Sequence, residues 1–227
     1  MNCKQYWEYF WDSSKDFDDL ATITETYRRM QDLYETINSG RFFLANAQRQ
    51  CFPEMYSGKP PTWANDWIKS QYVNSAIHIY SASFDIYLQI LWISFGLYKN
   101  ISNVPNTITD KNLDKILEAC NIKRIETQNS ILGEELCLII KSFYLSDNTK
   151  DIRNLCKQIK HRKSISYIEL STNKYPIMIK SNLYNSHQTL SEFSISRVIE
   201  KLKEFHNNFV NLINFTIPIV KDKLSNT

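Results

Sequence analysis

Glycine and proline are scarce: four glycines and six prolines in 227 residues. Few positions can therefore supply the left-handed or stiffened backbone that long irregular loops need, and a mostly helical chain is expected. No Gly-rich phosphate loop and no G-x-S-x-G elbow occurs, so the sequence offers nothing for a P-loop nucleotide hydrolase or an α/β-hydrolase. His78, His161, His187 and His206 stand apart in the sequence, with no H-E-x-x-H pair. Cys3, Cys51, Cys120, Cys137 and Cys156 are never spaced as a metal knuckle. No metal site and no cofactor is expected from these patterns, and the thiols read as reduced, as in a cytoplasmic protein.

Long apolar runs are also missing. Residues 82–98, "ASFDIYLQILWISFGLY", are the most lipid-like, but Asp85 and Gln89 interrupt them. The uninterrupted part is shorter than the ~18 apolar residues a spanning helix needs. A core helix, not a membrane helix, is the expectation. The opening "MNCKQYWEYFWDSS" has no apolar stretch followed by a cleavage site, so no secretory signal is expected. Charge of one sign is not in excess either. Twenty-seven basic against twenty-four acidic side chains give +3, too little to argue a nucleic-acid partner from net charge. Any such argument has to be local.

What is present is a globular balance, 43% hydrophobic and 22% charged, in a chain long enough for a substantial core. One domain over 1–227 is expected, with no internal repeat. Leu20, Ile23, Tyr27, Met30, Leu33, Tyr34 and Ile37 recur at helical steps, with Gly40 as a plausible stop. Thr62 is placed to cap a second helix, which turns apolar on nearly all sides after Ala76. Shorter helices follow at about 110–121 and 126–145, then one capped by Asp147 or Thr149. "SISYIEL" and "YPIMIKS", joined by "STNK", read as a β-hairpin. Ser191 or Ser194 starts the last helix, which Pro218 should kink or end. The expected fold is all-α: a helical bundle with one long central apolar helix and a small β-hairpin before the C-terminal helix.

Two polar features stand out from this frame. Asn74, His78, Ser81 and Asp85 follow one another at steps of four, three and four residues, a stripe along one side of the second helix. It is either a satisfied polar network or a carboxylate placed to orient a histidine or arginine from another helix. The second feature is "DIRNLCKQIKHRKSI", residues 151–165. Asn154, Lys157 and His161 share one helical face, Arg153 is adjacent to it, and Lys160, Arg162 and Lys163 crowd its end. One reading is a basic helix end that complements the helix dipole. The other is a metal-independent phosphodiesterase, in which the cations keep His161 neutral and hold a phosphate. Its imidazole then takes a ribose 2′-hydroxyl proton.

The helix ending in "RNLCKQIKHR", the "SISYIEL…YPIMIKS" stretch after it and the apolar "AIHIYSASFDIYLQILW" before it resemble the HEPN superfamily of small α-helical bundles. That resemblance implies an RNA-associated domain, often a metal-independent endoribonuclease of a toxin–antitoxin or antiphage system. Such proteins dimerise to bring two motifs together. Their motif is an Arg, often followed by a polar residue, with a short spacer before a His. Arg153 followed by Asn154 matches its opening, and seven residues separate Arg153 from His161, a slightly longer spacer than usual.

By resemblance, Arg153, Asn154 and His161 are the catalytic candidates. Lys157, Lys160 and Arg162 are candidates for binding substrate. Asp85 and His78 are supporting candidates from the helix face alone. Expected partners are a second copy of the chain, RNA and a cognate antitoxin, with no membrane. The alternative is a non-catalytic dimeric helical scaffold, whose basic helix end is purely structural.

Overall fold

The structure, a computed structural model, describes residues 17–55, 62–161, 165, 167–171 and 193–226. In chain order the helices are α1 (Phe17–Ala47), α2 (Thr62–Ser94), α3 (Leu113–Glu118), α4 (Ile122–Glu126) and α5 (Asn129–Leu132). They continue as α6 (Glu134–Leu145), α7 (Asp147–Lys160), α8 (Ile168–Ser171) and α9 (Ile195–Ser225). The all-α expectation holds for the described residues. The single dominant helix does not: α1, α2 and α9 have 31, 33 and 31 residues. Each is long enough to bury an apolar stripe over many turns.

The described residues fall into two compact units, and α1, α2 and α9 each contribute a segment to both. The first unit comprises residues 17–32, 86–137 and 216–226. Its part of α2 is buried on every side, from Ile90 to Ser94. Trp92 is fully buried, and its indole N–H donates to the Ile116 carbonyl at 2.9 Å. Tyr87 and Thr216 join their hydroxyls at 2.9 Å. On α1, Glu25 is only 7% exposed and accepts from both Arg28 and Arg29, so its buried oxygens are hydrogen-bonded.

The second unit comprises residues 33–85, 138–161, 165, 167–171 and 193–215. Its core is an aromatic cluster in which Phe84, Phe143, Phe205 and Phe209 meet with ring centroids 5.4–6.0 Å apart. Tyr80 joins it against Phe205, and its hydroxyl meets His206 Nδ1 at 3.0 Å.

Several local expectations are corrected. Gly40 does not stop α1, which runs on to Ala47. A Cβ at Gly40 would lie 3.0 Å from Tyr80 Cε1, so the glycine serves the close approach of α2 to α1. Pro218 does not end α9, which continues to Ser225 with Val220 and Leu224 buried. Burial of those last turns outweighs the hydrogen bond that proline cannot make. The helix expected at 126–145 is divided at Gly133, whose φ of 83° breaks α5 from α6. Ser146, not Asp147 or Thr149, caps α7, accepting from the Thr149 N–H at 3.3 Å.

The hairpin expectation fails in its first strand. Residues Ile168–Ser171 form a helical turn, α8, and Tyr167 makes an isolated parallel bridge to Phe193. Side-chain anchoring overrides β-propensity here. Tyr167 is buried and donates its hydroxyl proton to Asn74 Oδ1 at 2.7 Å. Glu169 accepts from the Ser194 hydroxyl at 2.8 Å and from the Ile195 N–H at 2.9 and 3.1 Å, capping α9. The second expected strand, with Ile177 and Ile179, lies outside the described residues.

Candidate functional site

The rotation of α7 is set before any polar contact is considered. Ile152, Leu155 and Cys156 are at most 2% exposed and define its inner face. On one flank, Asn148 donates through Nδ2 to the Lys201 carbonyl at 2.9 Å, and Asp151 pairs with the Lys201 ammonium. α9 therefore holds that side. The opposite flank carries Arg153 and Lys160, one turn either side of Cys156.

The α2 stripe meets this flank. His78 Nδ1 lies 3.7 Å from Cys156 Sγ, close enough for a weak sulfur hydrogen bond whose donor depends on the imidazole tautomer. Burial, assisted by the charge of Lys160, holds the His78 pKa below its ordinary value. Two turns along α2, Asp85 keeps a solvent-facing edge, yet protein crowding its carboxyl raises its pKa. Lys160 and Arg153 oppose that rise without cancelling it. Desolvation therefore favours the uncharged form of both groups. Asn74, at the start of the stripe, is engaged by Tyr167.

Arg153 is positioned from a third element. Its guanidinium carbon lies 3.8 Å from the centroid of Tyr144, at the end of α6. A planar cation over a ring face keeps its edge donors available for another partner.

The structure thus brings together four of the residues singled out in the sequence: His78, Asp85, Arg153 and Lys160. It does not draw the others into that cluster. Asn154 and Lys157 are exposed. His161 is the exposed C-terminal cap of α7, with its backbone N–H donating to the Lys157 carbonyl at 3.0 Å. Arg162 lies outside the described residues. Among the described residues, no group of three His, Cys, Asp or Glu side chains is arranged to hold a metal ion. No described helix is long and apolar enough to cross a membrane.

Two partners escaped the sequence reading. Tyr144 stands nine positions from Arg153, across the Ser146 turn, so no helical period relates them. In the sequence Cys156 is one of five scattered cysteines, all read as reduced thiols. What distinguishes it is its place between two cations on a flank that meets a histidine.

Apart from this cluster, a polar concavity of about 320 Å³ is lined by Asp66, Lys69, Glu169, Glu200 and Lys203 with apolar neighbours. Two of its three carboxylates already have partners. Glu169 caps α9, and Glu200 pairs with Lys203 at 2.8 Å. Asp66 is pushed up by burial and by Glu169, against the pull of Lys69.

Comparison of the chain with protein-family models, with curated proteins and with solved structures finds no match in any of the three.

Proposed function

We propose that this chain is a HEPN-like, RNA-associated domain that binds and cleaves the phosphodiester backbone without a metal. The reading rests on one observation above the rest: the Arg153 guanidinium sits over the Tyr144 ring, on the flank of α7 that also carries Lys160. A guanidinium held by its face offers a fork of N–H donors suited to two phosphate oxygens. Lys157 and Lys160 extend the positive charge along the helix, as a polyanion requires. In this reading Arg153 and Lys160 hold the scissile phosphate. His161, at the helix end, acts on its oxygens as the acid–base group, and Asn154 supports it. The resemblance adds a second copy of the chain and a cognate antitoxin as partners.

The test is RNA degradation in EDTA by wild type, Arg153→Lys, Arg153→Ala and His161→Ala, each checked for folding. Wild type should cleave. Arg153→Ala should lose most of the rate, and Arg153→Lys should recover part of it, since a point charge cannot reproduce the fork. His161→Ala should slow cleavage roughly 10²–10⁴-fold. A wild type that neither binds nor cleaves RNA removes the proposal. Sedimentation at micromolar concentration measures the expected dimer.

A second reading, a non-catalytic helical scaffold, has its own observation. His161 is exposed at the C-terminus of α7, where basic side chains complement the helix dipole with no further role. Unchanged dimerisation in an RNA-inactive wild type is its expected signature.

A further inference from the structure

The resemblance supplies one imidazole per chain, yet in-line cleavage is best served by a base on one side of the phosphate and an acid on the other. The second imidazole can be sought on α2. His78 contacts α7 at Cys156. Cys156 lies three residues after Arg153 and four before Lys160, so all three share one side of that helix. The ring therefore meets α7 at a position between those of the two cations proposed to hold the phosphate, and Lys160 acts on it. It is half-buried, not sealed, and among the described residues Cys156 is the one hydrogen-bond partner its ring has.

We infer that His78, Arg153 and Lys160 form a single phosphodiester subsite in which His78 is a proton-transfer group alongside His161. The inference rests on the nuclease reading for its chemistry and on the α2–α7 contact for its geometry. Cys156 orients the ring through Nδ1 and leaves Nε2 for substrate.

The groups around the imidazole fit the role. Lys160 faces it from α7 and disfavours the imidazolium, as burial does, so the free site holds a neutral base. Arg153 lies two turns before Lys160 on α7 and, with Lys160, acts on Asp85, the next ionisable group along the α2 stripe. Cys156 is the remaining neighbour and the hydrogen-bond partner of the ring.

In the reaction, His78 Nε2 takes the proton of the ribose 2′-hydroxyl as the O2′–P bond forms. The P–O5′ bond breaks, and the departing 5′-oxygen takes a proton from the general acid, the role left to His161 once His78 is the base. The products are a 2′,3′-cyclic phosphate and a 5′-hydroxyl. The two imidazoles exchange protons with water to restore the starting state.

Two measurements on the full chain test this. The first follows the histidine ring C–H signals by NMR through a pH titration, with and without a 2′-O-methyl RNA oligonucleotide that cannot be cleaved. The His78 signal is identified by its loss in His78→Gln. Phosphate bound beside it should move the His78 titration to higher pH, since an adjacent anion favours the imidazolium. An unmoved His78 titration with RNA bound, or no RNA binding, overturns the subsite. The second compares cleavage by wild type, His78→Gln and His78→Asn, each checked for folding. Both variants should be slower by roughly 10²–10⁴-fold. A folded variant as fast as wild type overturns the proton-transfer role. An inactive wild type whose His78 titration still responds to RNA removes the nuclease reading and keeps His78 in a phosphate-binding site.

Discussion

The guanidinium carbon of Arg153 lies 3.8 Å from the centre of the Tyr144 ring, and this pairing fixes the direction in which α7 offers its cation. Cation–π contacts of this type contribute about 0.5–1 kcal/mol at exposed sites and more when desolvated. Tyr144→Leu keeps an apolar side chain and removes the quadrupole. It should lower the unfolding free energy by about 0.5–1 kcal/mol, and by the same argument weaken RNA binding. A urea midpoint equal to wild type, with unchanged RNA affinity, would show that the ring does not position the arginine.

Gly40 tests the packing of α1 on α2. Glycine within a helix costs about 1 kcal/mol relative to alanine, so propensity alone predicts that Gly40→Ala stabilises. The added Cβ would lie 3.0 Å from Tyr80 Cε1 and 3.1 Å from Cζ. Tyr80 is fully buried, packs on Phe205 and is tied to His206, so it has little freedom to retreat. Overpacking of this kind typically costs about 1–3 kcal/mol, which outweighs the propensity gain. Gly40→Ala should therefore melt below wild type; a higher melting temperature would mean that Tyr80 yields.

His206 makes stability depend on pH. Burial, with Arg41 as a lesser cause, lowers its pKa in the folded chain. The unfolded chain, with a histidine pKa of about 6.5, takes up the proton first as pH falls. Stability should therefore decline below about pH 6.5 and level off once the folded form is also protonated. His78 has the same sign. Replacing His206 by Gln should flatten part of the slope in urea midpoints taken between about pH 8 and about pH 5. Identical slopes in the two proteins would remove His206 as a contributor.

Glu169 tests the link between α8 and α9. Its carboxylate accepts from the Ser194 hydroxyl and from the Ile195 N–H, satisfying a donor that begins a helix and favouring its positive end. Glu169→Ala should cost about 0.5–2 kcal/mol, the range for loss of an N-terminal cap. Glu169→Gln, which keeps an acceptor oxygen but no charge, should lose less. Equal losses would show that the charge rather than the hydrogen bonds is what matters.

The sequence by itself determined the helices. Apolar steps of three and four residues from Val198 to Leu212 are local records of burial on one face, and they survive in the fold. On α1 Ile23 and Leu33 are buried as expected, but Leu20 and Tyr34 are exposed while Thr22 and Thr26 are buried. The same periodicity placed Asn74, His78, Ser81 and Asp85 along one side of α2 and Arg153 beside the Lys157 face of α7. Tertiary structure decided what a helical period cannot carry. Gly40 reads as a stop until Tyr80 is seen against it, and Pro218 reads as an end until Val220 and Leu224 are seen to be buried. Ile168–Ser171 reads as strand until Tyr167 reaches Asn74 and Glu169 reaches Ser194. In each case a contact between distant residues outweighs a local preference of about 1–3 kcal/mol. The candidate site follows the same division. Its residue types were legible, but the contact of His78 with Cys156, 78 positions apart, and the cation–π contact of Arg153 with Tyr144 exist only where separate helices meet.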